Sequence, residues 1–401
     1  MLVESLAIQS LAAFFITVVL IIFGAPIARK VRLTDSPTSR KFHVGEVPTI
    51  GGIAIFIALV IAWTGWSDKI TAPITVAGSQ TLEVFIGCGA FLVVTGVLDD
   101  RFHLGVFVRI LSELLVAIAV IELLDLELVY LGDLFGSGLV QMSPIVAYPF
   151  TVIAIFGIIN AFNMIDGMDG LLASLVIATL VLFHIVTTTQ PGFLSLTIGA
   201  ALLGFLVSNL SLSPFVPKTF LGDAGSKLLG FIVACFLLAA ASAQVGGIKL
   251  IQPVTALFIV ALPLYDMVFT SLRRLFKKGS PFVADRSHIH HLMQDLGFSD
   301  RRSLIILLGI HCSAALIGLV LHLAEAAEYY QFAIFVGCFG LYSLLSSQLW
   351  LAAIKMQDAQ ARLADTGAPN VNETTNGVIG HSDNIKSPTN VSPGISQIKR
   401  R

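Results

Sequence analysis

The sequence predicts an all-α integral membrane protein that crosses the bilayer many times. Hydrophobic residues make up 56% of the 401 residues and charged residues only 12%, whereas a soluble domain carries about 25% charged residues. The mean hydropathy of +0.88 agrees with this composition. All four cysteines lie within apolar segments, which is typical of small buried side chains rather than of disulfides or a metal site.

About eleven apolar runs account for this composition. A bilayer core requires about 20 apolar residues per helix, and a helix can cross it because its backbone hydrogen bonds are satisfied internally. The runs at 50–66 and 81–98 are shorter than the others. In chain order the runs lie at 6–28, 50–66, 81–98, 106–128, 145–163, 170–189, 193–212, 228–246, 253–272, 304–323 and 331–354.

The basic residues set the expected orientation of this array. Connections after even-numbered runs hold only Lys69 and Lys249, and the other basic residues between runs follow odd-numbered runs. Because basic loops stay in the cytoplasm, we expect a periplasmic N-terminus and a cytoplasmic C-terminus. Residues 1–365 form the predicted transmembrane domain. Residues 366–401 are polar and rich in Gly, Pro, Asn, Ser and Thr, which predicts a disordered cytoplasmic tail.

The stretch 160–170 places two carboxylates, Asp166 and Asp169, where an apolar run ends. Ionisable residues at the mouth of a membrane helix usually mark function, and the glycines beside them allow close approach to a ligand. A spacing of three would put both carboxylates on one face if the helix continued. The alternative is a helix cap in which Asp and Gly supply turn chemistry.

Polar segments of this kind all fall on the predicted inner side. Capping alone would distribute them over both faces, so their one-sidedness predicts a site for phosphates and a divalent metal. Hard oxygen ligands suit Mg²⁺ or Mn²⁺, and Arg and Lys take the remaining phosphate charge. In chain order the segments hold Asp35, Lys41 and His43; Asp99 and Asp100; Asn163, Asp166 and Asp169; Asn209, Phe220 and Asp223; and Arg274, His288, His290 and His291.

Each segment has a plainer alternative. Asp99 and Asp100 would cap a helix, but neighbouring acids repel each other and a cation relieves this repulsion. Residues 220–226 would be a simple loop, although their glycines also suit a turn around a ligand. The three histidines of 288–291 resemble a zinc cluster, but no cysteine is near and the three do not share one helical face. Phosphate binding or proton handling is therefore favoured.

Two further ionisable residues lie within apolar runs and need partners. For Asp266 we expect Arg273 or Arg274, two helical turns later in the sequence. For Glu113 we expect Arg109, at a spacing of four residues.

Five motifs together resemble the polyprenyl-phosphate N-acetylhexosamine-1-phosphate transferase family. They occur in family order between residue 35 and about residue 303, which makes the resemblance specific. The form His-Ile-His-His is similar to the branch that transfers GlcNAc-1-phosphate, since the branch that transfers phospho-MurNAc-pentapeptide typically has three consecutive histidines. The motifs read Asp-Ser-Pro…Arg-Lys-Phe-His…Pro-Thr-Ile-Gly-Gly, Val-Leu-Asp-Asp-Arg, Asn-Ala-Phe-Asn-Met-Ile-Asp-Gly-Met-Asp-Gly, Phe-Leu-Gly-Asp-Ala-Gly-Ser and Asp-Arg-Ser-His-Ile-His-His-Leu.

The resemblance implies a bacterial inner-membrane enzyme whose active site faces the cytoplasm. Its reaction joins UDP-GlcNAc and undecaprenyl phosphate to give undecaprenyl-diphospho-GlcNAc and UMP, the first membrane step of O-antigen and enterobacterial common antigen synthesis. Mg²⁺, or Mn²⁺ in its place, is the implied cofactor. Membrane lipids are expected partners and nucleic acids are not, while a homodimer is left open. The same chemistry on MurNAc-pentapeptide or GalNAc is the alternative. A transporter is disfavoured because the carboxylates lie at helix ends and no repeat is evident.

The resemblance also assigns roles to residues that match its motifs. The catalytic set is Asp99, Asp100, Asp166 and His288. The metal set is Asp223, Asp99 and Asp100. The nucleotide- and substrate-binding set is Asp169, Phe220, Asn163, Asn209, Arg274, His290, His291, Asp35, Lys41 and His43.

Overall fold

The computed structural model describes residues 2–36, 45–64, 80–187, 193–242, 244–245, 248–277 and 287–365. The chain forms two compact units, Met1–Ala353 and Ile354–Arg401. The boundary between the two units lies within the last helix, Glu328–Asp365. The predicted tail, 366–401, lies outside the described residues, as do Lys41 and His43.

The described residues form thirteen α-helices and three small antiparallel sheets of two strands each. The strands pair as neighbours in sequence, β1 with β2, β3 with β4 and β5 with β6. The helices are α1 (Leu2–Lys30), α2 (Gly51–Thr64), α3 (Gln80–Phe102), α4 (Val106–Leu124), α5 (Pro144–Ile165), α6 (Leu171–Thr187), α7 (Phe193–Asn209), α8 (Gly222–Ser242), α9 (Pro253–Ile259), α10 (Ala261–Phe276), α11 (Ile289–Asp295), α12 (Asp300–Leu323) and α13 (Glu328–Asp365). The strands are β1 (Thr34–Asp35), β2 (Val47–Pro48), β3 (Tyr130–Gly132), β4 (Val140–Gln141), β5 (Gln244–Val245) and β6 (Ile248–Lys249).

The eleven predicted runs coincide with α1 to α8, the pair α9–α10, α12 and α13. Six described helices are long and apolar enough to cross a membrane, or seven if the pair α9–α10 counts as one span. Helices α2, α6 and α7 are apolar but shorter, and α4 carries charged residues along its length. The protein is therefore a multi-pass membrane protein.

The ninth run does not form the single straight helix that the sequence predicted. It breaks at Val260, and α9 and α10 meet there at an angle of 84°. Pro263 explains the break, because proline lacks an N–H and its ring clashes with the carbonyl four residues earlier, here that of Ile259. Helix α9 accordingly ends at Ile259 and a new helix begins at Ala261.

Helix α8 is the central helix of the first unit. Its most apolar stretch is buried over its whole length, as expected for a helix that is hydrophobic on every side. It packs against α3 and α5, and the ring of Phe231 stacks on Phe85 of α3 at 5.0 Å between centroids. This burial fixes the position of the first turn of α8, where Gly222 and Asp223 lie.

The polar segments meet at one end of the helix array, as the sequence predicted. The end of α3 contacts the end of α1, since Arg101 donates from Nε to the carbonyl of Val31 at 2.9 Å. The start of α2 contacts the segment before α8, since Gly51 donates its N–H to the carbonyl of Phe220 at 2.9 Å. We call this end, where α3 and α5 finish and α8 begins, the polar end.

Replacing Phe231 by Ala tests the central position of α8. The side chain is fully buried, and its loss leaves a cavity that costs about 3 kcal/mol of folding free energy. We expect a clearly lower midpoint of thermal unfolding in detergent. Phe15→Ala is the matched control, because Phe15 is 59% exposed on α1 and its change should leave the midpoint nearly unaltered. Equal midpoints for both variants would contradict a buried α8.

Candidate active site

The first turn of α8 is held in place by backbone hydrogen bonds from a neighbouring loop. Gly51 and Gly52 donate their N–H groups to the carbonyls of Phe220 and Leu221, at 2.9 and 3.0 Å, and Phe220 donates to the carbonyl of Pro48 at 2.9 Å. The motif Pro-Thr-Ile-Gly-Gly therefore has a structural role: its backbone fixes the entry into α8.

Asp100 binds the N-terminus of α8. Its Oδ1 accepts the backbone N–H of Asp223 at 3.0 Å, and the N–H of Ala224 also points to this carboxylate. Its Oδ2 is buried and has no hydrogen-bond partner among the described residues. Gly222 adopts a φ of +69°, and a Cβ at this position would collide with the Asp100 carboxylate, so only glycine fits here. The helix dipole adds to the attraction for an anion.

The side chains of Asp99 and Asp223 also lie beside each other. Asp99 is 4% exposed. Two cations lie beside its Oδ2: Nζ of Lys227 at 3.4 Å and Nε of Arg109 at 3.7 Å. Three carboxylates from two helices thus converge next to two basic side chains, as expected of a site for phosphate groups and a cation.

Glu113 is not the simple partner of Arg109 that the sequence predicted. Its Oε1 lies 3.7 Å from Nζ of Lys227, and its Oε2 accepts a hydrogen bond from Nδ2 of Asn160 at 2.6 Å. Arg109 forms its ion pair with Asp99 and attracts Glu113 only more weakly. The difference arises because α8 brings Lys227 between α3 and α4, a contact that local spacing does not reveal.

The motif at 160–170 forms a turn rather than a continued helix. Helix α5 ends at Ile165, Asp166 follows as its C-cap, and α6 begins at Leu171. Asp166 and Asp169 therefore do not share a helical face. Asn163, still within α5, accepts a hydrogen bond from Ser226 Oγ at 2.6 Å, which ties this segment to α8.

Asp169 and Phe220 lie on either side of a lysine. The Nζ of Lys218 is 2.5 Å from Oδ2 of Asp169 and 5.6 Å from the ring centroid of Phe220. Asn209 supports the same region, since its Oδ1 accepts the N–H of Gly170 at 2.5 Å and its Nδ2 donates to the carbonyl of Thr219 at 2.9 Å. These contacts bring Asp169, Phe220 and Asn209 together; their contacts with a nucleotide stay predictions.

Asp266 holds His288, which corrects the expected pairing with Arg273 or Arg274. Its Oδ2 accepts a hydrogen bond from Nδ1 of His288 at 2.7 Å. Its Oδ1 accepts the hydroxyl of Tyr342 at 2.8 Å and the N–H of Ile289 at 3.0 Å.

Arg274 contacts the other ring nitrogen of His288, with Nη2 3.3 Å from Nε2. Because arginine only donates hydrogen bonds, Nε2 accepts here, and the proton of the neutral ring lies on Nδ1. Asp266 thus selects the tautomer of His288, and Arg274 lies at the end of this chain of contacts.

Of the two remaining histidines, His290 reaches the turn after α5. His290 is 1% exposed and lies between His288, at 5.9 Å between ring centroids, and His291, at 4.1 Å. A Cβ on Gly167 would collide with Nε2 of His290, so this glycine leaves room for the imidazole. The histidine segment and the turn at 166–170 are therefore parts of one site.

Asp35, a further predicted site residue, belongs to the first of the small two-stranded sheets. It lies in β1 opposite Val47 of β2 and is half-buried. Sequence reasoning assigned no site role to Lys227, Asn160 or Tyr342. Lys227 contacts the site residue Asp99, whereas Asn160 and Tyr342 contact Glu113 and Asp266. For Lys227 a signal existed, because it directly precedes an apolar run, and an ionisable residue at the mouth of a membrane helix usually marks function.

The carboxylates at the start of α8 fit a magnesium or manganese ion held jointly with substrate. Within the described ranges, no three His, Cys, Asp or Glu side chains form a ready-made metal cluster. Mg²⁺ is usually bound by one or two carboxylates, with substrate phosphates completing its shell. The unpartnered Oδ2 of Asp100 and the adjoining carboxylates of Asp99 and Asp223 provide oxygen ligands of this kind.

Comparison with known proteins identifies the family to which this multi-pass membrane protein belongs. The family model described as glycosyl transferase family 4 matches residues 82–241. The undecaprenyl-phosphate alpha-N-acetylglucosaminyl 1-phosphate transferase of Yersinia pestis is 34% identical over 346 residues, which cover 85% of this chain and 91% of the relative. The Escherichia coli K12 protein of the same name is 34% identical over 371 residues, or 90% and 97%.

A more distant relative gives the same result. The probable undecaprenyl-phosphate N-acetylglucosaminyl 1-phosphate transferase of Bacillus subtilis is 31% identical over 312 residues, which cover 75% of this chain and 81% of the relative. The chain therefore belongs to glycosyl transferase family 4, and the family predicted from the five motifs is confirmed.

Replacing Asp266 by Asn tests whether this carboxylate orients His288. The change keeps the size of the side chain but removes the charge that selects the Nδ1–H tautomer, so we expect kcat of the transferase to fall roughly tenfold or more. Tyr342→Phe removes only one hydrogen bond to Asp266 and should have a smaller effect. Unchanged kcat in Asp266→Asn, measured in purified protein, would show that His288 needs no such support.

Proposed function

We propose that this enzyme transfers GlcNAc-1-phosphate from UDP-GlcNAc to undecaprenyl phosphate, giving undecaprenyl-diphospho-GlcNAc and UMP. The observation that carries the proposal is the convergence of Asp99, Asp100 and Asp223 at the buried N-terminus of α8. The names of the relatives point to the same lipid and sugar. The form His-Ile-His-His also favours GlcNAc over MurNAc-pentapeptide.

The chemistry requires two anions to meet. An oxygen of the lipid phosphate attacks the sugar-linked β-phosphorus of UDP-GlcNAc, and the bond from this phosphorus to the oxygen that bridges to the α-phosphorus breaks. UMP leaves with the bridging oxygen. A phosphate monoester is already largely ionised near pH 7, so proton abstraction contributes little and positioning and charge neutralisation dominate.

The residues at the start of α8 would hold the divalent ion. Asp223, Asp99 and Asp100 would supply its ligands. Asp223 is the leading candidate, because it lies in the first turn of α8 itself. Mg²⁺ or Mn²⁺, when bound, neutralises the diphosphate and makes UMP a better leaving group. Arg109 and the N-terminus of α8 add positive charge on the protein side.

The nucleotide and the diphosphate are assigned to the adjoining groups. Asp169 and Phe220 shape the uracil site, and the ring of Phe220 stacks on the base. Asn163 and Asn209 hold the surrounding backbone and side chains in place. The diphosphate lies toward the segment that carries Arg274, His288, His290 and His291. Asp166 lies in the turn after α5.

We also propose how the enzyme lies in the membrane. Eleven crossings, counting α9–α10 as one, put the polar end in the cytoplasm of a bacterial inner membrane and the N-terminus in the periplasm. The excess of Lys and Arg at this end supports that orientation. UDP-sugar then arrives from the cytoplasm, and the lipid phosphate reaches the site from the inner leaflet. A homodimer stays a prediction.

A panel of UDP-sugars tests the proposed function. Purified protein in lipid nanodiscs is supplied with undecaprenyl phosphate and Mg²⁺, and UMP release is measured for UDP-GlcNAc, UDP-GalNAc and UDP-MurNAc-pentapeptide. We expect release with UDP-GlcNAc and little with the other two. A preference for another UDP-sugar would show that GlcNAc is not the sugar transferred. No UMP release with any of the three would overturn the proposed reaction.

Replacing Asp223 by Asn tests the assignment of the metal ligand. Loss of one carboxylate charge at the diphosphate should lower Mg²⁺-dependent kcat by about 100-fold or more. Asp358→Asn is the matched control, because Asp358 is an exposed aspartate near the end of α13. Near wild-type turnover of Asp223→Asn at saturating Mg²⁺ would remove Asp223 from the metal site.

A further inference from the structure

Lys227 is a buried cation beside the carboxylates of the site. Its side chain is 1% exposed, and its Nζ lies between Oδ2 of Asp99 at 3.4 Å and Oε1 of Glu113 at 3.7 Å. It is the fifth residue after Gly222 in α8, so it lies one turn beyond Asp223 on the central helix. Burying an ammonium group is costly unless carboxylates compensate its charge.

A second set of contacts, through Glu113 and Asn160, holds this lysine on the side away from Asp99. Glu113 is 2% exposed, and its Oε2 accepts a hydrogen bond from Asn160 at 2.6 Å. Asn160 belongs to α5, Glu113 to α4, Lys227 to α8 and Asp99 to α3. The four side chains therefore form one continuous line of polar contacts that crosses four helices and ends on Asp99.

The two cations beside Asp99 differ in what restrains them. Arg109 is 37% exposed by its side chain and contacts Asp99 from the edge of the site. Lys227 is enclosed and is held by a second acid that has its own hydrogen bond. An enclosed ion pair keeps a fixed geometry, whereas an exposed arginine is free to turn toward an incoming phosphate.

We propose that Lys227 is a positioning residue that holds the Asp99 carboxylate for the transfer reaction, while Glu113 and Asn160 hold Lys227. The proposal rests on the proposed function for its kinetic consequence. Lys227 does not touch substrate; its charge fixes Asp99 and offsets one negative charge beside the divalent ion. The polar line thus sets both the position of Asp99 and the affinity of the site for a cation.

The charge of Lys227 and its hold on the position of Asp99 affect different measured quantities, cation affinity and kcat. Lys227→Met removes a positive charge near the acids, so the site should bind a divalent cation at least about fivefold more tightly. Glu113→Gln removes a negative charge that partly neutralises the Lys227 ammonium. The remaining positive charge should then weaken cation binding by a similar factor. Both variants disturb Asp99 and should lower kcat by about 10- to 100-fold, with an unchanged KM for UDP-GlcNAc.

The double variant Glu113→Gln/Lys227→Met separates positioning from a purely structural role. The double variant removes the Glu113 carboxylate and the Lys227 ammonium at once, so no uncompensated charge is left behind. The midpoint of thermal unfolding and the affinity for the cation should therefore return toward those of the wild type. Its kcat should stay low, because nothing then holds Asp99. Lys227→Arg keeps the charge and should retain more activity than Lys227→Met.

The experiment measures four properties in nanodisc-embedded protein. Mn²⁺ binding is followed by electron paramagnetic resonance without substrate, and kcat, KM and the thermal midpoint are measured alongside. Lys355→Met is the matched control, since Lys355 is exposed near the end of α13. Opposite shifts in Mn²⁺ affinity for the two single variants and a low kcat for the double variant support the proposal.

Two results would overturn the proposal. One is recovery of both the thermal midpoint and kcat in the double variant, which would make the pair purely structural. The other is equal Mn²⁺ affinity in the wild type and both single variants, which would place Lys227 outside the electrostatics of the site. If the wild type itself released no UMP, the proposed function would fail, and the Mn²⁺ series would still decide the role of Lys227.

Discussion

The contact between the Asp100 carboxylate and the N-terminus of α8 is the interaction on which the site depends. It joins α3 to the central helix at the polar end, and it uses the free N–H groups that every helix N-terminus presents. Gly222 makes the contact sterically allowed. Because α8 is buried along its length, its N-terminus has little freedom to move. Asp99 and Asp223 are therefore brought together by the packing of the helices.

The electrostatics of this arrangement suit a substrate that brings negative charge together with a divalent ion. Asp99 and Glu113 are buried acids, Asp100 and Asp223 beside them are half-buried, and Lys227 is the buried base of this group. Carboxylates in such a place destabilise the protein unless they are paired or bind a cation. Lys227 pairs with Asp99, and the amides of α8 bind Oδ1 of Asp100. These contacts leave Oδ2 of Asp100 available to bind a cation.

The histidine segment follows a different principle. Asp266, Tyr342 and Arg274 fix the ring of His288 and its tautomer, whereas His290 is held by shape against Gly167. The α9–α10 break contributes to this arrangement, because Asp266 lies in the second half of the bent pair. A straight helix through Val260 would direct Asp266 elsewhere. The bend that hydropathy did not predict is thus part of how the site is built.

The sequence predicted the features that depend on local pattern. Hydropathy located the helices, and the one-sided distribution of polar segments predicted their meeting at one end. Long-range pairings were not predictable in this way. Lys227 and Asp99 are 128 residues apart in sequence, and Asp266 and Tyr342 are 76 apart. The bend between α9 and α10 had a local signal in Pro263. The mean hydropathy of the apolar run does not show this signal, because one proline changes the mean little.

The most direct measurement is a cryo-electron microscopy structure of the protein in nanodiscs with UDP and Mn²⁺. We expect density for the ion at the first turn of α8, in contact with Asp223, and for the diphosphate beside the ion, toward the segment 288–291. Density for the diphosphate at the opposite end of the helix array, or away from α8, would contradict this placement of the site.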